Sequence, residues 1–186
     1  TGKTLWRIPQ EERSTWSTPY VWENKLRTEL VTIGLNKTRS YAPDDGTLLW
    51  ELRGTAGLVS QMPLSKHGLL YAGAGYHYGP LYAIRPGAKG DITLEDGATG
   101  NEFVAWSQKH GSSIHPCYLI SGDRLFVCYD SGLLACYNAK TGAEIMGRGD
   151  EFGTLEKGKL ADVLIVDGDV TVDIALLEER KKFIAV

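Results

Sequence analysis

The sequence predicts an all-β fold built from a repeated four-stranded unit, and three observations predict it. A turn glycine followed four residues later by a large apolar side chain recurs at Gly2 and Trp6, Gly46 and Trp50, and Gly142 and Met146. A proline opens each unit, at Pro19, Pro63 and Pro116, and the first two are 44 residues apart. No window before residue 150 places apolar residues at sustained i, i+3, i+4 spacing, so helix is nearly absent from that part of the chain. The 22 glycines and 10% aromatic content fit many short strands joined by tight turns.

The units can be justified in order. An outer strand over 1–8 carries Trp6 and belongs to the same column as Trp50. A unit over 15–52 opens at Pro19, runs through the strand formers Leu30-Val31-Thr32-Ile33, continues in Arg39-Ser40-Tyr41-Ala42 and ends at Trp50. A unit over 58–107 opens at Pro63 and runs through Gly68-Leu69-Leu70-Tyr71-Ala72-Gly73 and Leu81-Tyr82-Ala83-Ile84 to Trp106. Its closing copy, from Gly100 to Trp106, holds two extra residues, and its excess length lies in the Gly- and Asp-rich stretch 85–97. That stretch reads as a surface insertion between the third and fourth strands. A unit over 113–147 opens at Pro116 and continues through Arg124-Leu125-Phe126-Val127-Cys128 and Leu134-Ala135-Cys136-Tyr137 to Met146. Asp130-Ser131-Gly132 joins its second and third strands, with Gly supplying the positive φ that a tight hairpin needs. Asp44-Asp45-Gly46 and Lys140-Thr141-Gly142 are the same device before the outermost strand.

One twisted four-stranded sheet cannot cover both of its faces, whereas sheets stacked around an axis bury both faces of every interior unit. The 44-residue spacing lies within the roughly 40–50 residues of a β-propeller blade. The expected architecture is a partial β-propeller of about three four-stranded antiparallel blades, with a small β-rich tail over 150–186 that contains one short helix. A tryptophan on each outer strand is suited to wedge between neighbouring sheets, with its indole N–H aimed at a backbone partner.

The closing text Tyr41-Ala42-Pro43-Asp44-Asp45-Gly46-Thr47-Leu48-Leu49-Trp50, and its counterpart from Tyr137 to Met146, resemble the pyrroloquinoline-quinone-like (PQQ-like) repeat family. That family's blades close on Ala-x-Asp-x-x-Thr-Gly-x-x-x-Trp. The resemblance covers 1–146, and the text around Tyr82-Ala83-Ile84-Arg85-Pro86-Gly87 looks like secreted bacterial members. It implies an extracytoplasmic, quinoprotein-like scaffold, here expected to be a fragment of a longer protein. Quinone binding in that superfamily depends on a complete ring, and often on calcium and a vicinal disulfide; no adjacent Cys-Cys pair occurs here. No PQQ is therefore expected outside a complete ring. The tail, Gly153-Thr154-Leu155-Glu156-Lys157-Gly158-Lys159-Leu160-Ala161-Asp162, resembles the C-terminal segment of metal-dependent amidohydrolases, with short helical character over 173–182. The metal ligands of that family lie on a barrel of which this text shows nothing, so no metal is expected.

A net charge of -3 with scattered Lys and Arg gives no electrostatic footprint for nucleic acid, and no apolar run reaches membrane-spanning length. The histidines His67, His77, His110 and His115 fall in different units and read as loop or rim residues. The three cysteines read as buried small hydrophobes, with one disulfide or metal ligation as the alternatives. Asp44, Asp45, Asp123 and Asp130 read as turn residues. The Gly-rich loop at 73–79 precedes a strand and so cannot act as a helix-capped phosphate cradle; Tyr76, His77 and Tyr78 are the candidate surface-binding residues. The structural repeat positions are Trp6, Trp50, Trp106, Gly2, Gly46, Gly100, Gly142, Pro19, Pro63 and Pro116. No catalytic constellation emerges. The expected function is a non-catalytic scaffold for a protein or glycan partner, self-associating through exposed blade edges. The alternatives are hydrolase assignment through the tail and a fragment of a quinone-dependent dehydrogenase.

Overall fold

The computed structural model describes residues 2–10, 12, 14–55, 57, 59–73, 79–130 and 132–146, with two strand segments beyond them. The chain divides into two compact units, Thr1–Gly147 and Arg148–Val186. Among the described residues every regular element is a strand, and no helix is long and apolar enough to cross a membrane.

The first unit holds three sheets. In the first, β1 (Tyr20–Glu23), β2 (Thr28–Ile33), β3 (Lys37–Tyr41) and β4 (Leu48–Arg53) pair antiparallel in chain order. The second joins β5 (Leu64–Lys66), β6 (Leu69–Gly73) and β7 (Leu81–Ile84) to β9 (Val104–Gln108); the short β8 (Gly90–Asp91) intervenes in sequence. The third is β10 (Leu119–Ser121), β11 (Arg124–Cys128), β12 (Leu134–Asn138) and β13 (Glu144–Met146). In the second unit, β14 (Ile165–Val166) pairs antiparallel with β15 (Phe183–Ala185).

Two cores hold the three sheets face to face. Trp22, Val31, Trp50 and Leu52 of the first sheet pack against Leu70, Tyr82, Ile84 and Val104 of the second. On the other side of the second sheet, Tyr71, Leu81 and Trp106 pack against Leu125, Val127 and Tyr137 of the third. Successive side chains of a strand point to opposite faces, so a strand buried on both faces must be apolar throughout. β7 is that strand, buried at every position from Leu81 to Ile84.

Two tryptophans, Trp106 on β9 and Trp6 in the N-terminal segment, tie adjacent parts of the chain together. Trp106 Nε1 donates to Ala139 O at 3.0 Å, and Trp6 Nε1 to Pro43 O at 2.8 Å. Each acceptor lies three residues before a turn glycine, and the indole lies flat over that glycine. A Cβ on Gly142 would stand 2.6 Å from Trp106 Cδ2, and one on Gly46 would stand 2.9 Å from Trp6 Cδ2. Both glycines also have positive φ (73° and 76°), so neither tolerates a side chain. Trp50 departs from this pattern. Its Nε1 donates at 2.7 Å to the buried Glu29 carboxylate of its own sheet. That carboxylate also accepts from Ser40 Oγ at 2.6 Å and Asn24 Nδ2 at 2.9 Å, and pairs with Arg27 Nε at 3.0 Å. A buried charge this well bonded is stable; one left unpaired would not be.

Three expectations need correction. The outer strand expected over 1–8 is not formed: residues 2–10 lay Trp6 on the Gly46 turn without pairing as a strand. The stretch 85–97 does lie between the third and fourth strands of the second sheet in sequence, but it is more than a surface insertion. It crosses to the first sheet, where β8 pairs parallel with β4 (Trp50 opposite Gly90, Glu51 opposite Asp91) and buries Ala88 and Ile92. Ile92 N donates to Glu51 O at 2.9 Å, and Arg27 donates to Ala88 O at 2.5 Å. The unpaired backbone of outer strand β4 supplies the reason, since an edge strand offers donors and acceptors that a neighbouring segment can satisfy. The cysteines also differ from expectation: Cys136 is buried, but Cys117 and Cys128 are exposed. The short helix expected over 173–182 and most of the amidohydrolase-like text lie outside the described residues.

Candidate functional site

The connections that carry the chain from one sheet to the next lie side by side. Trp16 N donates to Val59 O at 2.9 Å, and Ser60 N donates to Ile114 O at 3.1 Å. Pro19 and Pro63 stand immediately before β1 and β5, and Pro116 three residues before β10, where a ring nitrogen without N–H costs the ladders nothing. At the centre of these connections is Gln61, fully buried. Its Nε2 donates to Pro116 O at 2.7 Å and to Ser113 Oγ at 3.1 Å, while its Oε1 accepts from Ser112 Oγ at 2.8 Å. Ser112 Oγ also lies 2.7 Å from Tyr118 Oη, and burial raises the Tyr118 phenol far above its ordinary range. Every polar atom of the Gln61 amide is thus engaged. Such a network fixes the register of the sheets and leaves little to offer a substrate.

Tyr76, His77 and Tyr78 lie outside the described residues. Their loop leaves β6 at Gly73 and returns at Gly79, whose carbonyl accepts from Ser112 N at 2.9 Å, so the loop's feet border the Gln61 network. The described histidines are dispersed. His67 sits in the β5–β6 turn, its Nε2 2.9 Å from Gly122 O and 3.4 Å from the Asp123 carboxylate. His115 Nδ1 lies 2.9 Å from Asp130 Oδ1, and the His110 carbonyl accepts from Tyr129 Oη. Asp45 accepts from Thr47 N, a local turn bond, whereas Asp130 reaches out of its turn to accept from Ile114 N at 2.7 Å. Among the described residues no three His, Cys, Asp or Glu side chains converge as metal ligands would. Of the repeat glycines, Gly2, Gly46 and Gly142 have positive φ; Gly100 does not, and it precedes a loop in which Asn101 Oδ1 accepts from Phe103 N and Val104 N.

The two outward faces of the stack differ in chemistry. On the first sheet, Lys37, Arg39 and Glu51 share the outer face. Lys37 Nζ stands 2.6 Å from Glu51 and, through that bond, holds its carboxyl below the usual range. Arg39 pairs with Glu12 of the N-terminal segment, and Gln10 Nε2 donates to Tyr41 Oη at 2.7 Å. Where this segment crosses the sheet, a cleft of about 260 Å³ remains between Glu12, Thr15, Pro19 and Ile33. On the third sheet, the register places Leu119, Phe126 and Cys136 side by side on the face turned away from the second sheet, with Cys128 opposite Leu134. Leu119 is 63% exposed, Leu134 51% and the neighbouring Ile145 50%. This apolar face was missed as a site, although β11 and β12 carried its signal as runs of apolar residues on both faces, Leu125-Phe126-Val127-Cys128 and Leu134-Ala135-Cys136-Tyr137.

The chain matches no family model, and no curated protein is similar enough in sequence to count as a relative. Among solved structures it is similar to BamB from Moraxella catarrhalis, with a TM-score of 0.55 and 16% identity over 80% of this chain and 44% of that one. It also aligns with the quinohemoprotein alcohol dehydrogenase ADHIIG from Pseudomonas putida HK5, with a TM-score of 0.49 and 17% identity over 73% of this chain and 20% of that one. At 16% identity the likeness to BamB speaks to fold alone. The sheets described above are blades of a β-propeller fold. The chain spans less than half the length of the BamB chain.

Proposed function

We propose that this chain is a non-catalytic β-propeller repeat scaffold that assembles through the outer face of its third sheet, with a second copy of the same chain as the partner. The observation that carries this reading is the pair of exposed apolar side chains, Leu119 and Leu134, on a face that no other sheet among the described residues of the first unit covers. The faces buried inside the stack are apolar in the same way, so a like apolar face on a second copy is a suitable cover for this one. The opposite end of the stack is a poor match for it. Lys37, Arg39 and Glu51 are paired there, and the Trp6 segment already lies on the Gly46 turn. A two-fold pairing of third sheet with third sheet is therefore favoured over a head-to-tail chain. The resemblance of the repeats to secreted PQQ-like proteins supports a place outside the cytoplasm.

Sedimentation velocity over a range of protein concentrations tests this. A single sheet face of short strands suits a weak interface, the class below about 1,200 Å², so dimer is expected at high but not at low concentration. Leu134→Asp combined with Leu119→Asp should abolish the dimer while leaving the β-sheet circular dichroism unchanged. A chain that stays monomeric at every concentration, or a double variant that dimerises like the parent, contradicts the proposal.

A further inference from the structure

In the hairpin β10–β11, Leu119 stands opposite Phe126, Ile120 opposite Leu125 and Ser121 opposite Arg124. The ladder ends at Leu119 and Phe126; continued beyond them, the same register would set Tyr118 opposite Val127 and then Cys117 opposite Cys128. Burial follows this extension. Tyr118 and Val127 both lie in the core against the second sheet. Cys117 and Cys128 are both exposed, as alternation to the other face requires. The Gln61 amide holds the two backbones together. Its Nε2 donates to Pro116 O, just before Cys117, and to Ser113 Oγ, which in turn donates to Cys128 O at 3.0 Å. Directly opposed residues of an antiparallel pair have Cα atoms about 4.5–5.5 Å apart. A disulfide needs about 4.4–6.8 Å.

We infer that Cys117 and Cys128 are a dithiol pair that closes to a cross-strand disulfide, with buried Cys136 left out. The oxidant is a small disulfide such as oxidised glutathione. One protein thiolate attacks the glutathione disulfide, breaks its S–S bond and releases a glutathione thiolate. The other protein thiolate attacks the protein sulfur of the mixed disulfide, forms the Cys117–Cys128 bond and releases the second glutathione. The two protein thiols lose two electrons and two protons, and the glutathione disulfide gains them as two thiols. The bond closes within one chain, so it does not depend on assembly through the third sheet.

The test incubates the full chain with oxidised glutathione at a concentration where it is monomeric, then denatures and alkylates it. The three free thiols should fall to a single one at Cys136, and non-reducing peptide mapping should recover a peptide linked through Cys117 and Cys128. Cys117→Ser and Cys128→Ser should each show no internal link and carry one stable glutathione adduct. Retention of all three thiols, adducts on both Cys117 and Cys128 without closure, or a link through Cys136 or to a second chain would each overturn the inference.

Discussion

At the residue scale, the most demanding group in the fold is Glu29, a carboxylate fully buried between sheets. It is tolerated because Trp50, Ser40, Asn24 and Arg27 all donate to it. Removing the carboxylate strands the Trp50 indole N–H and the Ser40 hydroxyl in an apolar core. Glu29→Ala should therefore cost about 3–5 kcal/mol in chemical denaturation, and Glu29→Gln, which keeps the shape and part of the bonding, distinctly less. Buried phenols set a second limit. Burial, with the Asp123 charge adding to it, pushes Tyr71 up to about 12. Burial also raises Tyr82 and Tyr137. A phenol whose folded pKa exceeds its unfolded value of about 10 stabilises the fold fully below that pH, and this contribution is lost as pH rises toward about 12. A phenolate absorbance titration should show buried tyrosines ionising late, together with loss of circular dichroism. Early ionisation of all tyrosines with the fold intact would contradict this burial.

At the scale of elements, the repeats were legible because each carries its own punctuation. Gly46 and Gly142 must be glycine for both φ and close approach, Trp106 and Trp6 must reach a carbonyl across units, and the hairpin text around Gly132 sets strand order. β8 was not legible. Its stretch is Gly- and Asp-rich, and its two buried anchors, Ala88 and Ile92, stand four residues apart, a spacing that fits a helix and a strand alike and so signals neither. The Trp50 bond to Glu29 was equally hidden, because nothing in a local pattern says that a glutamate within a strand faces inward. The role of β8 can be measured. Ile92 is 1% exposed and anchors the segment that covers β4. Ile92→Ala should cost about 2–5 kcal/mol and should speed hydrogen exchange at the Ile92 amide, which donates to Glu51 O. Exchange unchanged at that amide would mean that the segment is not held on β4.

At the scale of the molecule, the two outward faces set the direction of assembly. The first sheet alternates Lys37, Arg39 and Glu51 outward against Thr38 and Ser40 inward, a pattern readable as solvent-facing. The third sheet keeps apolar residues on both faces, the pattern of a sheet that is covered on both sides. That asymmetry was present in the sequence, but it becomes a site only once the stacking order shows which sheets lie at the two ends of the described stack. The Gln61 network escaped notice for a different reason. Gln61, Ser112 and Ser113 are ordinary polar residues in connecting text, and their burial comes from the lacing of three connections far apart in sequence. Hydroxyl-radical footprinting at low and high protein concentration is the most direct measurement of the central claim. Leu119, Phe126 and Leu134 should lose reactivity as concentration rises, while Trp16 at the connections and Leu48 on the first sheet should not change. Protection at the first sheet instead, or no change at Leu119 and Leu134, would contradict it.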